Sequence, residues 1–339
     1  MARLTPELGA AVVFLILYFF VFVWLVFAYA THRLKWRSRW TMLLAHVTIR
    51  LAAQGCGIGF AILVFKNIGL FAAFLVLGAE GYFSLVLCTF RFLISWHEHN
   101  LPSGTSWLEP RRPPRGRSDR RTELRRRLTF LLLGPFGVLI YPSSIMLGFD
   151  SLLLLANVVI VLGGSYLTQT LGQGNTSAAL NAMKVSRIMR TAGQSVFVAC
   201  NMMLLVFLLM TAHNDRRTGA RKRALGVHPT LILLMLAWIP LIIRGAFGVL
   251  QSADFELSYY NPANYGLNGF SVHYTVVEYL LGVTPEWIAV VLLSCTYFTS
   301  KNDPPKPPVN PGRGETEIAL VENNYKSSSQ REREPYTTV

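Results

Sequence analysis

Apolar residues in this chain come in runs of 20 or so, separated by short segments crowded with Arg, Lys, Pro and Ser. A helix rising about 1.5 Å per residue needs about 20 apolar residues to cross a hydrocarbon layer. The pattern predicts such helices over roughly 9–30, 41–65, 69–95, 193–212, 229–251 and 274–298. The 44-residue stretch 128–171 reads in two ways. It holds either two helices joined at Gly148-Phe149-Asp150, or one crossing helix preceded by an element, broken by Gly134-Pro135 and Tyr141-Pro142, that does not cross. The expected fold class is therefore all-α, a polytopic seven-helix transmembrane bundle, with eight spans as the alternative.

Charge between the runs orders them. Thr31–Trp40 carries Arg33, Lys35, Arg37 and Arg39 with no acid, and the Arg/Pro-rich loop 97–127 carries nine arginines against four acids. Basic loops stay in the cytoplasm, so the N-terminus lies outside. If 128–171 crosses once, Arg216, Arg217, Arg221, Lys222 and Arg223 fall inside, and the 252–273 loop, with Asp254 and Glu256 and no Lys or Arg, falls outside. A double crossing inverts both and improves only Lys184, Arg187 and Arg190, so seven spans are preferred and the C-terminus is cytoplasmic. The sequon Asn175-Thr176-Ser177 then faces outward as a glycosylation acceptor. Ala28-Tyr29-Ala30 resembles a signal-peptidase site, but the long apolar run and the basic segment after it favour retention. Residues 1–299 form the transmembrane domain. Residues 300–339, rich in Pro, Ser, Glu, Lys and Asn, read as a disordered cytoplasmic tail.

Composition narrows the function classes. Of 339 residues, 52% are hydrophobic and 15% charged, against about 25% charged in soluble domains, which excludes a water-soluble enzyme. The net charge of +14 is spread over short inter-span segments. It reads as a topology signal and, in the Arg-rich loop, as a contact for anionic inner-leaflet lipid. Membrane lipids are the expected partners, and nucleic acid is not. Cys56, Cys88, Cys200 and Cys295 lie inside apolar runs and read as small buried residues. His97-Glu98-His99 reads as a solvated helix end, so no metal site is expected. The last helix offers no lysine for a retinal Schiff base, and no Asp-rich metal motif is present, so no cofactor is expected.

The chemistry is concentrated in Arg50, Glu80, Arg244, Glu278 and Glu286, which interrupt the apolar runs. A charge at membrane depth costs a few kcal/mol or more and marks a pair, a pathway or a ligand contact. Counted along ideal helices from the cytoplasmic edge, Arg50 lies about 14 Å deep, Glu286 about 18 Å, Glu80 and Arg244 about 22 Å, and Glu278 about 30 Å. These depths predict that Arg50, Glu80 and Glu286 meet near the centre and that Arg244 pairs with Glu278 towards the outside. Two roles fit: ion pairs that fix helix orientation, or a polar contact for a headgroup or proton. Pro240 and Pro285 sit close to Arg244 and Glu286, where a kink opens space beside each charge. Gly55, Gly57 and Gly59, and Gly163-Gly164, read as close helix-packing positions.

Ile49-Arg50-Leu51, Thr191-Ala192-Gly193 ahead of Ser195-Val196-Phe197, Ile239-Pro240-Leu241-Ile242-Ile243-Arg244 and the carboxylate Glu286 together carry a resemblance. Over residues 7–298 the chain resembles a fungal seven-helix membrane family classed as a domain of unknown function, distantly similar to RTA-like, lipid-translocating-exporter-like proteins. Its long Arg-rich loop and the stretch Leu128–Gly148 depart from the short connection usual there. The resemblance implies a fold, selects Arg50, Arg244 and Glu286, and implies no reaction.

The functional expectation is a non-enzymatic membrane protein that senses or moves a small amphiphile or lipid through the Arg/Glu cluster. The alternatives are a receptor-like protein coupling through its basic loops, and an intramembrane enzyme acting on a lipid or terpenoid with Glu80 or Glu286 as general acid or base.

Overall fold

Seven helices alternate in direction and bury Arg50, Arg244, Glu278 and Glu286 among them, with Glu80 half-buried between two neighbours. The structure, a computed structural model, describes residues 5–36, 38–63, 68–101, 104–109, 145–171, 176–219, 226–266, 269–301 and 303–304. The helices are α1 (Pro6–Ala30), α2 (Arg39–Leu63), α3 (Ile68–Asn100), α4 (Ile145–Leu171), α5 (Thr176–Gly219), α6 (Pro229–Ala253) and α7 (Val272–Thr299). All seven are long and apolar enough to cross a membrane. Each packs on the next in sequence, and α3 also touches α5, α6 and α7.

Local sequence explains where several helices start. Thr5 accepts the Leu8 N–H at 3.2 Å through Oγ1, with Pro6 in the first turn. His228 accepts the Thr230 N–H at 3.2 Å ahead of Pro229, and Ser271 caps α7 through the Tyr274 N–H. Each cap satisfies an N–H that the helix leaves open.

The alternative of two helices joined at Gly148-Phe149-Asp150 is not met, because those residues lie inside the continuous helix α4. Residues 128–144, the rest of that ambiguous stretch, lie outside the described residues, as do 110–127 of the Arg-rich loop, Asn175 and 305–339. Helix α5 is twice as long as the run 193–212 that announced it. Its 44 residues give a rod about 66 Å long. The extension on one side carries Lys184, Arg187 and Arg190, whose charge hides the helix from an apolar window.

Burial runs opposite to that of a soluble bundle. Phe20, Phe27, Leu155, Leu162 and Leu209 are exposed on outward faces, while His46, Arg50, Asn201 and Glu286 are buried inside. An apolar exterior is what a hydrocarbon solvent selects. Apolar side chains still fill most of the interior, with Tyr18, Leu85, Phe197 and Leu293 among those fully enclosed.

The two ends differ. At one, which we call the basic end, Arg39 donates to Ser95 Oγ at 3.2 Å and to Ser300 Oγ at 2.6 Å. His228 Nε2 lies 3.1 Å from Asp303 there. The reading of His97 as part of a solvated helix end is corrected: His97 is fully buried, with Nδ1 2.8 Å from Ser106 Oγ and Nε2 2.9 Å from Thr211 Oγ1. At the other, the hairpin end, the connection between α6 and α7 contains the only departure from helix among the described residues that forms a ladder. Tyr265–Gly266 pairs antiparallel with Gly269–Phe270, and Gly269 takes φ +119°, a conformation that favours glycine. The hairpin docks on α1, where the Phe270 N–H points at Glu7 Oε2 at 3.4 Å.

Within α7, Glu278–Val283 is a π-helical segment directly before Thr284-Pro285. Pro285 has no N–H and its ring clashes with a carbonyl one turn back. The widened turn accommodates both, and Thr284 Oγ1 donates to the Tyr279 carbonyl at 2.7 Å. Such bulges add one residue to a turn and recur at functional sites.

Candidate functional site

Glu286 is fully buried between two arginines. Its Oε1 accepts from Arg244 Nε at 2.6 Å, and its Oε2 pairs with Arg50 Nη2. Arg50 is contributed by α2, Arg244 by α6 and Glu286 by α7, so the triad ties three helices together. Tyr18 of α1 faces Arg50, and the Tyr82 ring lies under the Arg244 guanidinium, 5.9 Å from ring centroid to Cζ.

Glycines make room for this cluster. A Cβ at Gly81 would stand 2.4 Å from Arg50 Cζ. One at Gly245 would stand 2.4 Å from the Tyr82 hydroxyl, and one at Gly248 would stand 2.6 Å from Gln194 Oε1 and 3.4 Å from Arg244 Nη1. Backbone with no side chain is therefore part of the cavity wall for each polar group. The glycines singled out from sequence behave differently. Gly57 and Gly59 meet Phe74 and Leu70 of α3, Gly163 meets α5, and Gly55 meets nothing within 4 Å.

The pairing expected from depth alone is corrected. Arg244 joins Glu286 and not Glu278. Glu278 is buried and accepts from Gln251 Nε2 at 2.5 Å and from the Tyr259 hydroxyl. Glu80 does not reach the centre. It is half-buried and binds Asn157 Nδ2, bridging α3 to α4. The cause in α7 is its π segment. Eight residues separate Glu278 from Glu286, about 80° out of phase on an ideal α-helix, and the extra residue in the wide turn brings them to within about 20°. Both carboxylates therefore face inward at different depths.

Beside the triad, towards the hairpin end, lies a cleft holding about 700 Å³ of empty space, its open mouth included. Ala72, Leu75, Val76, Gly78 and Ala79 of α3 and Ile160 and Val161 of α4 give it an apolar wall. Arg190 and Gln194 of α5, one turn apart, face Arg244, Gln251 and Ser252 of α6 across it, and Tyr259 and Tyr260 close the hairpin side. Two arginines and no carboxylate line it. Arg244 Nη1 and Gln194 Oε1 are both buried with no hydrogen-bond partner among the described residues. Arg190 stacks over Tyr260, 5.4 Å from Cζ to the ring centroid. Burial holds the Tyr259 and Tyr260 phenols above the usual tyrosine range, so both are neutral donors at ordinary pH.

Of the five predicted residues, Arg50, Arg244 and Glu286 form one cluster, Glu278 stands one layer away behind Tyr259 and Gln251, and Glu80 is separate. Sequence reasoning missed Arg190, Gln194, Gln251 and the two tyrosines. The i, i+4 spacing of Arg190 and Gln194 and the i, i+7 spacing of Arg244 and Gln251 were the signals that put each pair on one helix face. Among the described residues no group of three or more His, Cys, Asp or Glu is placed to hold a metal ion, and the four cysteines are unpaired.

No protein-family model, curated protein or solved structure matches this chain. Its function is read from the cleft.

Proposed function

We propose that this chain is an integral membrane protein that binds a small anionic amphiphile or lipid in the cleft between α3, α4, α5 and α6, as a sensor or carrier and not as an enzyme. The observation that carries the reading is the cleft's lining, two arginines without a carboxylate beside a wall of small apolar side chains. In a low-dielectric setting a guanidinium edge with no partner favours an anion strongly. Arg244 meets that condition because Glu286 engages its Nε and leaves Nη1 without a hydrogen-bond partner among the described residues. A carboxylate or phosphate completes it, and an alkyl chain covers Leu75, Val76, Ile160 and Val161.

The Arg50–Glu286 pair holds Arg244 in place in this reading and makes no ligand contact itself. The positive-inside rule supports a cytoplasmic basic end, which puts the cleft in the outer half of the bilayer.

The test is binding of dodecyl phosphate and of dodecyltrimethylammonium to the full chain in phosphatidylcholine nanodiscs. Selective binding of the phosphate, weakened at least tenfold by Arg190→Gln, is expected. Equal binding of the two, or no effect of Arg190→Gln, would sink the proposal.

A further inference from the structure

We infer that the ligand is a bilayer-resident anionic amphiphile that enters sideways, its head between α5 and α6 and its tail leaving through a slot between α3 and α4. This rests on the reading of the cleft as an anion site and adds the route and the chemical class that the route selects.

The cleft divides its chemistry by helix. Every charged side chain that lines it comes from α5 or α6, and everything α3 contributes is apolar, as are Ile160 and Val161 of α4. A wholly polar ligand has no use for half of that wall. An amphiphile whose polar end faces α5 and α6 lays its chain against α3 and α4 without burying an unpaired group.

Two contacts set the limits of the slot. Towards the bundle centre, Asn157 of α4 donates to Glu80 of α3, next to Ala79 in the lining. Towards the hairpin end, the Tyr260 hydroxyl reaches the Gly164 carbonyl at 3.5 Å, and Arg190 covers the Tyr260 ring. Asn157 and Gly164 are seven residues apart on α4, so about 10 Å of helix lies between these contacts. Over that length α3 presents Gly78, where an added Cβ meets nothing within 4 Å. The outward flank of α4 presents Val158 and Leu162, both exposed. Gly78, which also lines the cleft, and the exposed Val158 and Leu162 give this side of the cleft an apolar edge, the route we assign to the chain. The passage to water at the hairpin end is covered by a tyrosine held at two points.

Glu80 thereby gains a role separate from the triad. With Asn157 it fastens α3 to α4 at the inner edge of the slot, so the chain leaves the cleft on the hairpin side of that contact.

The experiment uses the full chain in phosphatidylcholine nanodiscs and dodecyl phosphate carrying a diazirine on its terminal carbon. After irradiation, labelled residues are mapped by mass spectrometry. Saturable labelling on the outer flanks of α3 and α4, around Val76, Val158 and Leu162, is expected. It should fall at least fivefold in Gly78→Leu, which fills the slot, and persist in Gly78→Ala, which does not. Label on α5, α6 or the 254–271 loop, or a Gly78→Leu protein that labels like the wild type, overturns sideways entry while leaving the anion site standing. Labelling by a dodecyltrimethylammonium analogue to the same extent refutes the anion reading itself. Inorganic phosphate that binds as tightly as dodecyl phosphate makes the site one for a free anion and overturns the amphiphile.

Discussion

Arg244 commits its Nε to Glu286 at 2.6 Å and leaves Nη1 without a partner among the described residues. Arg50 takes the other carboxylate oxygen. One acid thus serves two cations, and its removal leaves both guanidiniums without their shared carboxylate, whereas removal of Arg50 leaves a neutral pair.

That asymmetry predicts a ranking. Glu286→Gln should destabilise the chain by about 3–5 kcal/mol, the cost of stranding buried charge. Arg50→Gln should cost less than half as much. Thermal unfolding of both variants in nanodiscs, followed by tryptophan fluorescence, measures the order, and equal losses would remove the bridging role of Glu286.

The glycines give a second contrast. Gly81→Ala drives a methyl group into the Arg50 guanidinium and should cost about 1–3 kcal/mol, as overpacking does. Gly78→Ala, in open space on the same helix, should gain about 0.5–1 kcal/mol from helix propensity. The same unfolding measurement separates them.

Alkaline pH should act through the 254–271 loop. The Tyr259 and Tyr260 phenols sit above the ordinary value of 10.0 in the folded chain. Above pH 10 the unfolded chain releases protons that the folded chain retains, so stability is complete below that point and falls as pH rises beyond it. The unfolding temperature should hold from pH 7 to 9 and drop above about pH 10. Replacing both residues by Phe should flatten the drop.

At the basic end, Asp303→Asn should free the segment 301–304 from His228 and leave the bundle unchanged. A fluorophore at position 304 should gain mobility by anisotropy while the unfolding temperature stays within experimental scatter.

Much of the architecture was legible, because helices long and apolar enough to cross a membrane show in the sequence as long apolar runs. The starts of α1, α2, α3, α6 and α7 fell within three residues of the apolar runs. Helix α5 was read short because Lys184, Arg187 and Arg190 interrupt the apolar pattern on a helix that continues past its apolar core. The site was only partly legible. Arg50, Arg244 and Glu286 stood out as charges among apolar residues, but depth counting assumed ideal helices, and the π turn in α7 re-aims Glu278 relative to Glu286. Neutral partners such as Asn157, Gln194 and Gln251 carry no such contrast with their neighbours, and Arg190 sits on the extension of α5 that the apolar window missed.

The wall around the triad also offers a means of finding kin. An arginine on the second helix can lie where Arg50 lies only if the third helix leaves a bare backbone at Gly81, and Arg244 and Gln194 make the same demand of Gly248. Side chains on the surface face no such steric demand, whereas a substitution at one of these positions forces a change at its neighbour. A distant sequence that shares this interior should therefore keep an arginine about 31 residues ahead of a lone glycine, then an Arg-Gly pair with a second glycine three residues later, then a glutamate directly after a proline. That spacing is a fingerprint written by volume, set by which side chains the interior has room for.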